Sequence, residues 1–270
     1  MPTKLQNGYL PKGSRKNYQA DIVLSWQDFS DIFDFACDMA YGNGHHRANR
    51  SGGSIKRHPD TIFQNVFEGK IGEFALYRHL EKNGILVTPP DCSVHEKGVW
   101  DGGDFQFRNS FELSVKTSKH FSQLLLLESK DYNVNQETGR VVYLPDNHTP
   151  DAIIFMRTCN DMRDFLKSKD NWKPVRECKK EMYIASNITC EVTGYITNKD
   201  LKNLIEHDFI IKKGSYLNGK TKMDADNYYI PAKDMKTSEH LVDTLNKIKV
   251  IHEQRIEKER QSKLKLSLNM

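Results

Sequence analysis

The sequence has no apolar run near the roughly 20 residues that a membrane-spanning helix requires. Runs such as residues 124–127 are far shorter, and the polar first residues lack the apolar core of a secretory signal peptide. Cysteine is also scarce: the chain has 5, an odd number, and no pair is spaced as C-x-x-C. This argues against a disulfide framework and against a zinc knuckle. We therefore expect a reduced, cytoplasmic protein without a membrane partner.

An excess of charge of one sign is missing too. The chain has 40 Lys and Arg against 36 Asp and Glu, a formal net charge of +4. So small an excess is weak evidence for a nucleic-acid partner, because the distribution of charge matters more than its sum. With 270 residues and 37% hydrophobic content, the chain suits one large domain or a domain with an appendage.

Periodicity predicts two helices near the N-terminus, followed by short strands and a further helix. Apolar residues recur at helical steps from Ser25 onward and again over residues 60–84. The predicted strands are FELSVK, LLLLE, DAIIFMR and CEVTGYIT, and NKDLKNLIEHDF is a short helix. This order predicts an α/β fold with a mixed central β-sheet flanked by helices. We expect a flexible basic segment at residues 1–20, the domain at 21–236 with its core at 59–200, and a helical tail at 237–270.

One strand carries an unusual set of polar residues. In SFELSVK, Glu112, Ser114 and Lys116 alternate with apolar residues, so all three point to one face. Asp104 opens the preceding strand and would meet Lys116 if the two strands pair. Glu73 lies on the apolar stripe of the second helix and would reach the same place. Two carboxylates and a lysine suit metal-assisted phosphodiester hydrolysis, because carboxylates hold Mg²⁺ and an ammonium stabilises added negative charge.

These motifs resemble the PD-(D/E)XK nuclease superfamily and, within it, the type II restriction endonucleases. The resemblance covers residues 66–157: GKIGE with Glu73, WDGGDF with Asp104, SVK with Lys116, and the strand DAIIFMR. It implies a mixed sheet flanked by helices and a Mg²⁺ ion, for which Mn²⁺ substitutes. Asp104 and Glu73 would hold the metal, and Lys116 would position the attacking water or stabilise the phosphate. Double-stranded DNA would be the substrate and a homodimer the assembly.

One position departs from the family pattern. The family has an acid two residues before the lysine, and here that residue is Ser114. Some restriction endonucleases with a serine there take the missing carboxylate from elsewhere. The candidates are Glu73, then Glu112 on the same strand face, then Glu128 after the leucine run.

A glycine-rich basic segment at residues 41–60 is the other candidate functional element. As a DNA-binding arm it would offer its basic side chains to phosphates or guanine edges. These side chains are His45, Arg47, Arg50, Lys56 and Arg57. Lys119 would extend the phosphate track. The alternative is an ordinary solvated connection.

Each site residue also has a purely structural explanation. Glu73 could pair with Lys70 or Tyr77, Asp104 could be a turn residue that bonds its own backbone, and Lys116 could be a solvated strand-end lysine. A non-catalytic DNA-binding protein of the same fold is an alternative, and Ser114 favours it because it removes the acid that the motif most often uses. A phage or repair nuclease that recognises DNA structure is a further alternative.

Overall fold

The structure is a computed structural model that describes residues 1–42, 58–94, 104–108, 111–160 and 176–268, with side chains described as far as residue 261. Its helices are α1 (Trp26–Tyr41), α2 (Pro59–Lys82), α3 (Lys179–Ser186), α4 (Asn198–Glu206) and α5 (Ser238–Leu268). Its strands are β1 (Ile22–Val23), β2 (Phe105–Phe107), β3 (Phe111–Lys119), β4 (Leu124–Glu128), β5 (Tyr132–Val134), β6 (Val141–Tyr143), β7 (Ala152–Cys159), β8 (Thr189–Thr197), β9 (Ile210–Ile211), β10 (Tyr216–Leu217), β11 (Thr221–Lys222) and β12 (Asn227–Pro231). Within these residues, no helix combines the length and apolar character needed to span a membrane.

Five strands form the central sheet, in the order β1-β8-β7-β3-β2. β3 and β7 run parallel, whereas the other neighbouring strands are antiparallel. The predicted class, a mixed α/β sheet flanked by helices, is therefore confirmed. The apolar run of residues 152–156 forms β7, which has a strand on either side and is buried along almost its whole length.

Each face of this sheet has its own hydrophobic core. On the face covered by α2, Leu113 of β3 and Ile154 of β7 join a core shared with α1. On the other face, Ile153 and Phe155 pack with the smaller sheet β4-β12-β9 and with Leu201 of α4. Because β3 pairs in register with β7, each β3 residue shares a face with its β7 partner.

An ion pair joins α1 to α2. Ser25 begins α1 with a capping box, in which it exchanges hydrogen bonds with Asp28. Arg78 of α2 donates to the buried Asp28 carboxylate, with Nη2 2.7 Å from Oδ1. Burial alone would raise the pKa of Asp28, but the bonds from Arg78 and Ser25 lower it overall. The pair therefore holds α1 in place against α2.

The chain ends are joined to the domain. Residues 1–20, for which composition predicts flexibility, make hydrogen bonds to the body of the protein: Leu5 N donates to the Tyr229 hydroxyl at 3.0 Å, and Lys16 N donates to the Gln123 side chain at 2.8 Å. At the other end, α5 occupies the segment predicted to be a helical tail. Its Leu241 and Leu245 side chains are fully buried in the α2-side core.

Arg157 of β7 is fully buried and ties the N-terminal segment to the sheet. It faces Glu191 on β8, with Nε 2.6 Å from Oε1. Its Nη1 donates to the carbonyls of Lys16 and Ser122, both at 3.1 Å, and its Nη2 donates to Asn17 O at 2.9 Å. One guanidinium therefore connects β7, β8, the N-terminal segment and the turn after β3.

Replacing Arg157 with methionine should destabilise the protein strongly, because the Glu191 carboxylate stays buried without its counter-ion. We expect a loss of about 3–5 kcal/mol in the free energy of unfolding, measured by urea denaturation. Arg255→Met is the matched control, because Arg255 forms an exposed pair with Glu259 on α5. That control should cost no more than about 1 kcal/mol. Equal losses for the two variants would contradict the assigned role of Arg157.

Candidate active site

Asp104 is bound to the edge of β3. It directly precedes β2, and its Oδ2 accepts hydrogen bonds from the Val115 amide and, at 3.3 Å, from the Ser114 hydroxyl. The β2–β3 ladder ends at the Phe105–Leu113 pair. The Asp104 carboxylate therefore accepts a hydrogen bond from an amide of β3, that of Val115, which lies beyond the last strand pair. Asp104 is therefore more than a turn residue that bonds its own backbone.

The polar residues of β3 share the face away from α2. Ser114 and Lys116 pair with Ile153 and Phe155 of β7, and both of these belong to the core on that side. Strand alternation places Glu112 on the same face. The predicted row of Glu112, Ser114 and Lys116 therefore lies on the face opposite α2, and Asp104 is hydrogen-bonded to its middle member, Ser114.

Lys116 packs against an aromatic cluster on this face. Its Nζ lies 5.0 Å from the centre of the Tyr143 ring, which is close enough for a cation–π interaction. Tyr143 in turn contacts Tyr132 and His148, with ring centroids 5.2 Å apart in each case. Burial raises the pKa of the Tyr132 phenol well above its ordinary value, and nearby negative groups, Asp104 among them, add to the increase.

Glu73 approaches from the opposite face and is paired with a lysine. Lys70 Nζ lies 2.6 Å from Glu73 Oε2, and the two side chains are only 9% and 15% exposed. Burial alone would lower the pKa of Lys70, but attraction to Glu73, with smaller contributions from Cys92 and Asp104, raises it overall. The main interaction of the Lys70 ammonium is therefore with Glu73, and Asp104 makes a smaller contribution of the same sign.

A close helix–strand contact fixes this part of α2. A Cβ added at Gly72 would overlap the Thr117 hydroxyl, which projects from β3 toward α2. A Cβ added at Gly69, one turn earlier, would meet nothing within 4 Å. Gly72 is therefore a point of close approach between α2 and β3, and Gly69 is not. The neighbouring Lys70 and Glu73 are positioned by that contact.

The two remaining candidate acids, Glu112 and Glu128, have other partners. The Glu112 amide donates to Asp151 at 2.8 Å, and its Oε2 is buried without a hydrogen-bond partner among the described residues. Glu128 ends β4 in the smaller sheet, with Oε2 3.5 Å from Lys130 Nζ. Neither residue has a recorded contact with Asp104 in the part of the chain that the structure describes.

Asp104 and Glu73 suit a hard divalent cation in chemical type, since Mg²⁺ is commonly held by one or two carboxylates together with water and substrate phosphate. Lys70 already supplies a positive charge that interacts with both acids. Within the described residues there is no group of three or more His, Cys, Asp or Glu side chains that could hold a metal ion. A metal here would therefore depend on ligands from water and substrate.

The predicted DNA contacts are mostly outside the described residues, because His45, Arg47, Arg50, Lys56 and Arg57 all fall in residues 43–57. Lys119 is described, and its ammonium forms an ion pair with Glu68 of α2. The sequence alone does not assign a functional role to two residues that contact the site, Lys70 and Tyr143. Lys70 was considered only as a structural partner of Glu73, and nothing local to Tyr143 indicates that it lies under Lys116.

Comparison of the chain with models of protein families, with curated proteins and with solved structures found no match.

The Gly72–Thr117 contact can be tested with a matched pair of glycine substitutions. Gly72→Ala should lower the free energy of unfolding by about 1–3 kcal/mol, because the new methyl group forces α2 away from β3. Gly69→Ala should raise it by up to about 1 kcal/mol, because alanine favours the helix and meets no neighbour. Thermal or urea unfolding of the two variants measures the difference. A stabilising Gly72→Ala would show that α2 does not rest on Thr117.

The Lys70–Glu73 pair predicts a specific pH dependence. The pKa of Lys70 is raised above 10.5 in the folded protein, so the pair's contribution is complete below that pH and is lost as pH rises through the folded value. Glu73→Gln should cost about 1–3 kcal/mol near neutral pH, with the gap to wild type narrowing at alkaline pH.

Urea unfolding at a series of pH values measures this gap. Glu206→Gln is the control, because Glu206 forms an exposed pair with Lys202 on α4. It should change stability little at any pH. A gap for Glu73→Gln that stays constant through the alkaline range would contradict the assigned pairing.

Proposed function

We propose that the protein is a Mg²⁺-dependent endodeoxyribonuclease, and specifically a type II restriction endonuclease with the corresponding fold. The observation that carries the proposal is the Asp104 carboxylate bound to β3 at Ser114 and Val115, immediately before Lys116. The order of elements supports it: a helix with Glu73, a hairpin with Asp104 and Lys116, and then β7 parallel to the lysine strand.

The residues of the site would divide the work as follows. Asp104 and Glu73 would hold the metal, which when bound supplies a polarised phosphate and a more acidic water. The Ser114 hydroxyl and the Val115 amide both donate to Oδ2 of Asp104 and so fix the orientation of the carboxylate. Its Oδ1 would then be the oxygen that binds the metal. Lys116 would stabilise the negative charge that develops on the phosphate or position the water.

Cleavage of both strands of a duplex would be explained by two copies of the chain, each contributing one such site. A homodimer related by a two-fold axis matches the symmetry of a palindromic DNA sequence. We include the homodimer and the double-stranded substrate in the proposal.

A second candidate function is DNA binding without cleavage. Two observations favour it: Ser114 stands where the family pattern has an acid, and Glu73 is already neutralised by Lys70. In that case the same surface would bind DNA, and no divalent ion would be needed for binding.

Cleavage assays test the proposed function. Purified protein is incubated with plasmid and phage DNA in the presence of Mg²⁺, Mn²⁺ or EDTA, and we expect discrete fragments only with a metal. Asp104→Asn and Lys116→Ala should each lower the cleavage rate about 10²- to 10³-fold. The controls are Asp243→Asn and Lys180→Ala, which alter exposed residues of α5 and α3.

Single Glu→Gln variants at Glu73, Glu112 and Glu128 identify the acid that accompanies Asp104. We expect the largest loss of cleavage for Glu73→Gln. Full activity of this variant, with loss for one of the others, would transfer the role to that residue. Absence of cleavage by the wild-type protein, with a retarded band on gels, would replace the nuclease with a DNA-binding protein. Neither cleavage nor retardation would overturn both functions.

A further inference from the structure

A basic groove lies at the carboxyl end of β3 and includes Lys116. Its walls are residues 15–18 of the N-terminal segment and the turn at residues 120–123, and β4 contributes its apolar floor. The volume is about 720 Å³, within the range of sites that hold small molecules or single nucleotides. The groove therefore includes the proposed catalytic lysine, whereas Asp104 is not among its lining residues.

A row of rings runs from one wall of the groove to the other. Tyr18 and His120 have ring centroids 5.7 Å apart, and His120 and Phe121 have centroids 5.2 Å apart. The row ends at Phe121, whose side chain is 69% exposed. A phenylalanine this exposed at the mouth of a groove presents a free aromatic surface on which another planar ring can stack.

The groove carries positive charge with no opposing acid. Arg15 and Lys116 both line it, and Arg15 is exposed and has no hydrogen bond or ion pair with the residues that the structure describes. No aspartate or glutamate is among its described lining residues. Cations beside an aromatic surface are the combination that binds single-stranded nucleic acid, with phosphates on the cations and bases on the rings.

The walls are held in position before any ligand binds. The fully buried Arg157 donates to Lys16 O and Asn17 O in one wall and to Ser122 O in the other. Its guanidinium carbon also lies 5.7 Å from the centre of the Tyr18 ring. The Gln123 side chain adds two bonds to the Lys16 backbone, at 2.8 and 3.1 Å. A fixed groove loses little conformational entropy when it is filled.

We propose that this basic groove binds an unpaired stretch of the DNA strand adjacent to the phosphate that is cleaved. One base stacks on Phe121, and the phosphates on either side of it contact Arg15 and Lys116. This inference deepens the proposed function and rests on it for the position of the scissile phosphate. Binding of the strand itself depends only on the groove.

Binding is measured in EDTA, where cleavage cannot occur, with a fluorescent single-stranded DNA and a second one that contains 2-aminopurine. Wild-type protein should bind and should quench the 2-aminopurine emission by stacking. Phe121→Leu should weaken binding about 5- to 150-fold and abolish the quenching, whereas Phe121→Tyr should preserve both. Leu86→Ala, at another exposed apolar residue, is the control and should leave both unchanged.

Arg15→Ala should reduce the salt dependence of binding.

The outcomes separate this inference from the nuclease proposal. Cleavage by the wild-type protein with no effect of Phe121→Leu on affinity or quenching would overturn the groove and leave the nuclease in place. Binding and quenching that depend on Phe121, without any cleavage, would support the groove and remove the nuclease. Duplex and RNA oligonucleotides of the same sequence are parallel arms, and a loss of affinity for Phe121→Leu that is as large with either one as with single-stranded DNA would also overturn the inference.

Discussion

The buried ion pair between Arg157 and Glu191 is the interaction on which much of the structure depends. A buried charge is costly unless its partner and its remaining hydrogen-bonding groups are all satisfied. Here the guanidinium satisfies its donors with Glu191 and with carbonyls from two other segments of the chain. The pair therefore couples the central strands to the N-terminal segment and to the turn after β3. The groove beside Lys116 exists because those segments are held there.

Local patterns predicted several of the longer elements of the fold. The apolar run before Arg157 predicted a central strand, and β7 is one. The same pattern could not indicate that Arg157 would be buried, because its partners lie in distant parts of the chain. Composition has the same limitation at residues 1–20, where the polar residues predict a flexible segment. A polar segment is held in place here by backbone hydrogen bonds to remote side chains, and composition does not report these.

The candidate site was predictable in part. Strand alternation is enough to put Glu112, Ser114 and Lys116 on one face, and their register with β7 agrees. The side of the sheet that α2 would cover could not be deduced, since either choice buries the same apolar residues of the helix. In the structure, α2 covers the face opposite Lys116, and Glu73 approaches the sheet from that face. The Lys70 ammonium, three residues before Glu73, shows how a structural and a functional explanation can apply to the same carboxylate.

The close approach of Gly72 to Thr117 also limits how the sequence can change. At Gly69 the helix has room for a side chain, so that position is open to substitution by itself. At Gly72 a Cβ would overlap the Thr117 hydroxyl and would also crowd the Thr117 Cβ and Cγ2 at 3.0 and 3.2 Å, so a larger residue there requires a smaller residue at position 117. The two positions form an ordered pair in which the strand must change before the helix. A double substitution at positions 72 and 117 would thus be expected to begin with the change at 117.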